Sequence, residues 1–371
     1  MKSKNQKMET PLLILETRNY CKLASEDDAC KHCSVDSYLE RSNNHKRPDW
    51  NGVISQFSGL GDTLGHVVLK NGASALRDRE IGILEQTLES GLSASVTTEG
   101  AYVPSDFEAR LMELGREYPH KLGVTVSLDG HTKEVYGQLR KEEDFDKTVE
   151  FIQRANAGGL NVGVNYVVHE GNVSEIKDYV DFAVNELNVD KVNFLEINLT
   201  GGARRNGLKV ADSETYFKAL IDTYAEGNEK VKLALRGTFA AAIDQYLNEG
   251  SGCRGCPAGS EGMAHISCSG EISPCSSLEL PQYNAGNVAK VSLSEAMRSR
   301  PFAFARTVAE SARAKNPLVS MCPGRLESFG ELGSYDESIK LTHVITGYLQ
   351  EKGVNLSDFR EADNRCFSPA F

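Results

Sequence analysis

Cys21-Lys22-Leu23-Ala24-Ser25-Glu26-Asp27-Asp28-Ala29-Cys30-Lys31-His32-Cys33 puts three thiols into one short stretch, soon after the apolar run Pro11-Leu12-Leu13-Ile14-Leu15. The run reads as a buried strand, so the thiols occupy the loop that follows it. Thiols at this density, in a chain without an export signal, read as metal ligands rather than disulfide partners. Three ligands are one short of the four that a structural zinc or a fully protein-bound iron–sulfur cluster takes. An incomplete set leaves a coordination position open for chemistry. Asp27 and Asp28 read as solvated loop charge.

Outward from this loop, composition narrows the class. The 371 residues allow one large domain, or a domain with a smaller appendage. Hydrophobic residues at 40% and charged residues at 25% are ordinary globular values. A net charge of −11 argues against a nucleic-acid binder, which usually needs a basic face, and leaves room for a locally basic substrate site. The start, Met1 to Lys7, is basic, but the apolar run after it spans only five residues, too short for a signal-peptide core or a membrane span. The sequence therefore predicts a cytoplasmic protein with reduced thiols and no membrane partner. Nine cysteines, an odd number, also disfavour a closed disulfide set.

From residue 11 to about 200, short apolar runs alternate with longer amphipathic ones. Strands are expected at 12–16, 66–69, 93–97, 123–128, 161–168 and 191–197, and helices at 77–91, 104–117, 143–158 and 172–188. Ile176, Val180, Phe182, Ala183 and Leu187 are read as lining one face of the last helix, with Asn172 or Ser174 as its cap. Such alternation means parallel strands with crossover helices. Six strands are too few for an eightfold barrel; the pattern predicts an α/β layer or barrel, and the count agrees with a partial (β/α)6, TIM-like barrel. After Gly201-Gly202-Ala203-Arg204-Arg205 the rhythm changes. Helices are expected at 212–226 and 236–249, then a Gly/Cys/Ser-rich segment, then helices at 292–312 and 336–352. The resulting division is a barrel core over 1–210, a helical connector over 211–250, a small cluster domain over 251–330, and a C-terminal helix and tail over 331–371.

The Gly/Cys/Ser-rich segment is too poor in apolar residues to build its own core, and metal often staples such domains. It holds Cys253-Arg254-Gly255-Cys256, Cys268 and Cys275, with Cys322 further on. Gly270-Glu271-Ile272-Ser273-Pro274-Cys275 reads as a hairpin with Gly270 in its turn. A Cys-x2-Cys hook with two distant thiols can close a four-thiolate iron–sulfur site, and a zinc site is the alternative.

The first thiol loop resembles that of the radical SAM superfamily, in which three cysteines after the first barrel strand hold a [4Fe–4S] cluster that binds S-adenosylmethionine. The family spacing is Cys-x3-Cys-x2-Cys. Here the first gap is five residues longer, whereas the second gap and the ring residue His32 fit. Cys256 through Gly270 to Cys275, followed by Gly286-Asn287-Val288, resembles the opening of the SPASM and twitch auxiliary-cluster domains. The shortage of later cysteines matches the shorter twitch form. The resemblance implies Cys21, Cys30 and Cys33 as ligands of the first cluster, and Cys253, Cys256, Cys275 and Cys322 as ligands of one auxiliary [4Fe–4S] cluster. Cys268 and Cys366 stay unassigned; either could replace an auxiliary ligand or donate hydrogen to a substrate radical.

The resemblance also implies a SAM-binding set of His32, Asn71, Gly72, Ala73, Ser127, Arg140 and Asn165. Ala73 stands where the family has the glutamate that receives the SAM amino group. Glu99 stands for an asparagine in Val96-Thr97-Thr98-Glu99-Gly100. Val126-Ser127-Leu128-Asp129-Gly130 with Arg140 matches the fourth-strand motif, and an arginine fork suits a carboxylate. Taken alone, each of these is a strand-end turn, a surface arginine or a solvent-facing polar residue; their order between two cysteine sets is what carries the reading. His131, His169 and His265 are expected to be exposed or structural, and Trp50 to be packing.

A radical SAM enzyme cleaves S-adenosylmethionine reductively and uses the 5′-deoxyadenosyl radical for hydrogen abstraction, with electrons from an external flavodoxin- or ferredoxin-type donor. The expected substrate is a peptide or protein, with crosslinking, oxidation or epimerisation as outcome. A small molecule such as a sugar or cofactor precursor is the alternative, and a non-catalytic metal-bound interaction module the minor one. Only ten residues precede the first strand, which leaves no room for an N-terminal leader-binding domain. Ser276 stands where sulfatase-maturing relatives carry an aspartate, which disfavours that reaction.

Overall fold

The structure, a computed structural model, describes residues 11–17, 30–33, 47–60, 65–70, 76–199, 201–237, 258, 262–315 and 335–355. Six strands, β1 (Leu12–Leu15), β2 (His66–Lys70), β3 (Ser93–Thr98), β4 (Leu122–Ser127), β5 (Asn161–Val168) and β6 (Lys191–Glu196), run parallel in chain order. These are the six strands of the expected partial barrel, within a residue or two at each end.

The two faces of this sheet differ in chemistry. Leu13, Leu15, Val67, Leu69, Val96, Val124, Val126, Val162 and Val164 are fully buried in one continuous core. Helices α1 (Trp50–Ser58), α2 (Asp78–Glu89), α3 (Ser105–Glu117), α4 (Lys133–Gly137), α5 (Phe145–Ala157) and α6 (Ile176–Asp181) contribute to it, and Trp50 is packed there as expected. On the alternate residues the other face is polar: His66, Ser93, Ser95, Thr97, Thr125, Ser127, Asn165 and Asn193 follow the strand register. His66 bonds Ser93 Oγ at 2.8 Å and Ser95 Oγ at 2.9 Å. It also feels the charge of Lys191, four strands away on β6, so the sheet curls and its polar face is the inside.

Two helical expectations change. Residues 172–188 do not form one helix: a 3-10 turn (Val173–Glu175), α6 and a π turn (Phe182–Glu186) share the stretch. Neither expected cap works as one. Asn172 accepts from His169 N at 2.8 Å and donates to Val167 O at 2.8 Å, stitching the end of β5, and Ser174 bonds Glu175. The helix expected at 292–312 breaks into Leu293–Met297 and Arg300–Lys315, because Pro301 supplies no backbone N–H to continue a preceding helix. Helices α7 (Gly201–Arg205) and α8 (Ser213–Glu226) follow β6, with another helical run at 229–237.

The cysteine-rich segment does not begin as a free-standing layer. Its first strand, β7 (Met263–Ile266), pairs parallel with β1, and β8 (Ile272–Ser273) turns back antiparallel to β7. Among the described residues the eight-stranded order is β6-β5-β4-β3-β2-β1-β7-β8. Gly270 makes the hairpin turn at φ +85, and an added Cβ would meet Asn287 and Val288 at 3.1 Å. Residues 285–288 pair on the outer side of β8 through Ile272 N to Gly286 O and Val288 N to Gly270 O, both 2.9 Å. No helix among the described residues is long and apolar enough to cross a membrane.

Candidate functional site

Cys30 to Cys33 forms a tight turn, with Cys33 N donating to Cys30 O at 2.9 Å. Neighbours from the ends of two strands hold it. Lys31 N donates to Leu139 O, and its Nζ to Gly137 O, each at 2.9 Å. From the other side Gly202 N donates to Cys33 O at 2.8 Å, and Asn206 Nδ2 to Lys31 O at 3.0 Å. Leu139, Val167, Ile197 and Ala203 make a small apolar cluster around these attachment points. Gly202 admits no side chain: a Cβ would lie 2.9 Å from Lys31 O and 3.1 Å from Cys33 N. The turn therefore sits at the C-terminal ends of the parallel strands, where the loops of such folds converge.

A charged pair stands directly behind the cysteines. Asp129 is fully buried, and both its oxygens are engaged: Oδ1 accepts from Val167 N at 2.7 Å and Oδ2 from Arg140 Nε at 2.5 Å. Arg140 Nη1 reaches Cys30 Sγ at 3.5 Å. Burial opposes the guanidinium charge, but Asp129 and the Cys30 sulfur outweigh it and hold Arg140 above its ordinary range. The neighbouring Gly130 is required by space, since a Cβ there would collide with the Tyr136 backbone in α4. His32 borders the pair. Burial first, then Arg140 and His169, push its imidazole down to about 4 despite the nearby Asp129 carboxylate, and its Nδ1 is buried without a hydrogen-bond partner. His169 is itself buried, accepts from Gly171 N at 3.1 Å and is shifted down by burial. The sequence alone left it with no part near the cysteines.

On the inner face, Ser127, Asn165 and Asn193 are register partners across β4, β5 and β6 and form a polar row; Asn193 Nδ2 donates to Asn165 Oδ1 at 3.1 Å. Asn193 was not singled out from sequence, although its place at the same register of the next strand is the signal that finds it. Glu99 is buried beside Thr98 at the end of β3. Cys21, Asn71, Gly72 and Ala73 lie outside the described residues.

In the hairpin region, Cys275 Sγ accepts from Ser277 N at 3.4 Å, and Cys268 stands in the β7–β8 turn. Cys253, Cys256, Cys322 and Cys366 lie outside the described residues. His265 is fully buried between Glu16 and Glu279 rather than exposed, whereas His131 approaches Glu175 at 3.9 Å. Thiols that accept hydrogen bonds from a guanidinium (Cys30) and from a backbone N–H (Cys275) are donors suited to iron–sulfur clusters, whose sulfurs are tuned by such bonds.

Residues 253–324 match the SPASM family, an iron–sulfur cluster-binding domain. The PqqA peptide cyclase of Methylorubrum extorquens strain PA1 is 24% identical over 298 residues, spanning 79% of this chain and 73% of the relative. The AdoMet-dependent heme synthase of Oleidesulfovibrio alaskensis is 20% identical over 308 residues, 78% of this chain and 75% of the relative. Among solved structures, anSMEcpe with bound AdoMet superposes with a TM-score of 0.65 at 14% identity, covering 95% of this chain and 98% of that one. SuiB of Streptococcus suis, bound to its precursor peptide SuiA, gives 0.58 at 16% identity over 79% and 65% of the two chains. These matches support a [4Fe–4S] cluster with S-adenosylmethionine and an auxiliary iron–sulfur cluster as the cofactors. Together these matches support a radical SAM enzyme that carries a SPASM domain.

Proposed function

We propose that this enzyme abstracts hydrogen from a peptide or protein substrate and yields an oxidised, crosslinked or epimerised product. The observation that carries the reading is convergence: the Cys30–Cys33 turn, the Ser127–Asn165–Asn193 row and the hairpin turn bearing Cys268 all rise at the C-terminal ends of the parallel strands. Relatives named for peptide work, the PqqA peptide cyclase and SuiB with its precursor peptide, support the substrate class.

In this reading Cys21, Cys30 and Cys33 hold the first cluster, and Cys253, Cys256, Cys275 and Cys322 hold the auxiliary one. When bound, the first cluster supplies an electron that cleaves S-adenosylmethionine to a hydrogen-abstracting 5′-deoxyadenosyl radical. Asp129 keeps Arg140 charged and fixed beside the Cys30 sulfur, and so stabilises the thiolate that ligation requires. Because Arg140 Nε is committed to Asp129, only its Nη groups would be left to reach a bound cofactor. His32, kept neutral by burial, offers a ring edge without a competing positive charge. Ser127 and Asn165 present hydroxyl and amide groups to the nucleoside, with Asn193 fixing the Asn165 amide. Asn71, Gly72 and Ala73 stand for the family's amino-group site. A flavodoxin- or ferredoxin-type protein delivers the electrons.

The test is anaerobic reconstitution, followed by assays for iron and 5′-deoxyadenosine and by mass spectrometry of peptide and metabolite pools incubated with the reduced enzyme. About eight irons per chain, deoxyadenosine formation and a mass change confined to peptides are expected. A mass change confined to metabolites would transfer the reading to the small-molecule class, to which the heme synthase relative points. Zinc without iron, or no cleavage under strong reductant, would overturn it.

A further inference from the structure

Glu16 follows β1, His265 lies on β7 two register steps before it, and Glu279 follows the hairpin; the three meet across the seam where the cysteine-rich segment joins the barrel sheet. His265 has no solvent exposure. The hydrogen bonds around it fix which ring nitrogen carries the proton. Ser273 Oγ donates its hydrogen to Cys275 O at 3.1 Å, so its lone pair is what faces His265 Nδ1, also at 3.1 Å. Nδ1 is therefore the protonated nitrogen and donates to Ser273.

Nε2 is then left as a buried ring nitrogen with no hydrogen-bond partner, and it looks at the Glu16 Oε2 carboxylate oxygen across 3.6 Å. An imidazole lone pair and a carboxylate are both acceptors, and two acceptors face each other stably only across a proton or a cation. The spacing suits a cation. One ligand atom from each of Glu16, His265 and Glu279 lies within 4.8 Å of the other two, with Glu279 Oε1 at 3.7 Å from the Nδ1 side of the same ring. Donors about 2.0–2.2 Å from a shared tetrahedral metal stand about 3.4 Å apart. The Nδ1–H to Ser273 bond is the outer-shell contact that orients a metal-binding histidine. A cavity of about 450 Å³, lined in part by Glu271, Ser273, Glu279 and Asn284, gives an entry path on the Glu279 side.

We propose that Glu16, His265 Nε2 and Glu279 bind a divalent first-row metal cation, separate from both iron–sulfur clusters, that clasps the hairpin to β1. One imidazole and two carboxylates form a nitrogen–oxygen donor set of the kind that takes Mn2+, Fe2+ or Zn2+.

The test uses holoenzyme with its clusters loaded and excess metal removed, titrated with MnCl2 while the electron paramagnetic resonance of free Mn2+ is followed; Mn2+ is chosen because it prefers oxygen and nitrogen over thiolate. Wild type is expected to remove one equivalent of Mn2+ from solution. His265→Gln and Glu279→Gln should each abolish that binding with iron and sulfide per chain unchanged, which also reports that the variants fold. Ser273→Ala, which removes only the partner of Nδ1, should weaken it about tenfold or more. Wild type that takes up no Mn2+ would overturn the proposal and leave a second ring proton as the bridge. Equal uptake by wild type and all variants would place the metal elsewhere and also overturn it.

Discussion

At the scale of single residues, Asp129 shows how much of a motif is scaffold. It is fully buried, where it satisfies Val167 N and neutralises Arg140. Removing one partner of a buried pair leaves an uncompensated charge. Asp129→Asn is therefore expected to cost ~3–5 kcal/mol, read as a lower denaturant midpoint at unchanged slope, and to loosen Cys30 enough to reduce cluster iron. A stability loss under 1 kcal/mol would mean that Arg140 finds another counter-charge. The sequence motif pointed to Ser127, Asp129, Gly130 and Arg140 together, but it did not say that the aspartate holds the arginine. The 2.5 Å contact joins residues eleven apart, and it closes across the segment that contains α4.

At the scale of elements, the Cys30–Cys33 turn depends on a helix far away in sequence. α7 gives the turn its outer wall through Gly202, where any side chain would strike the Lys31 and Cys33 backbone. Gly202→Ala is expected to cost ~1–3 kcal/mol by overpacking. It should also displace the turn, so that iron falls from about eight toward about four atoms per chain with the auxiliary cluster retained. Full iron with unchanged deoxyadenosine formation would show that the turn yields without consequence. The six barrel strands were legible because each is a short apolar run between turn residues. The broken helix at 172–188 was not, because the break comes from Asn172 serving the β5 loop, a choice the local pattern cannot express. Likewise the hairpin at Gly270 was legible, whereas the pairing of β7 with β1 required tertiary structure, since it joins residues about 250 apart.

At the scale of the whole molecule, the curl of the sheet leaves a polar plug at the N-terminal ends of its strands. Burial, and then Lys191, push His66 down to about 3, and burial pushes Lys191 down to about 8. The unfolded chain takes up the His66 proton near 6.5 and the folded chain only near 3. Protons therefore favour unfolding across that window, and stability falls as pH drops through it. Lys191 adds the same sign between its ordinary 10.5 and about 8, where stability rises with pH. Denaturant midpoints of the holoprotein are expected to fall between about pH 7.5 and 5.5, and His66→Gln should remove about 1.4 kcal/mol of that slope. A variant with an unchanged slope would place the proton-linked loss on other groups.

The amino-acid order by itself determined the parallel α/β core, the two cysteine sets and the hairpin, because each is written in neighbours: alternation of apolar and polar runs, short thiol spacings, a glycine at a turn. It also carried the resemblance that named the enzyme class. Tertiary structure alone decided which of these parts touch. It set Arg140 against Cys30 and His169 near His32, aligned Asn193 with Asn165, and buried His265 between two carboxylates that the chain keeps about 250 and 14 residues away. Those contacts arise from strand register and sheet curvature, which bring distant residues to one face and which no local spacing encodes.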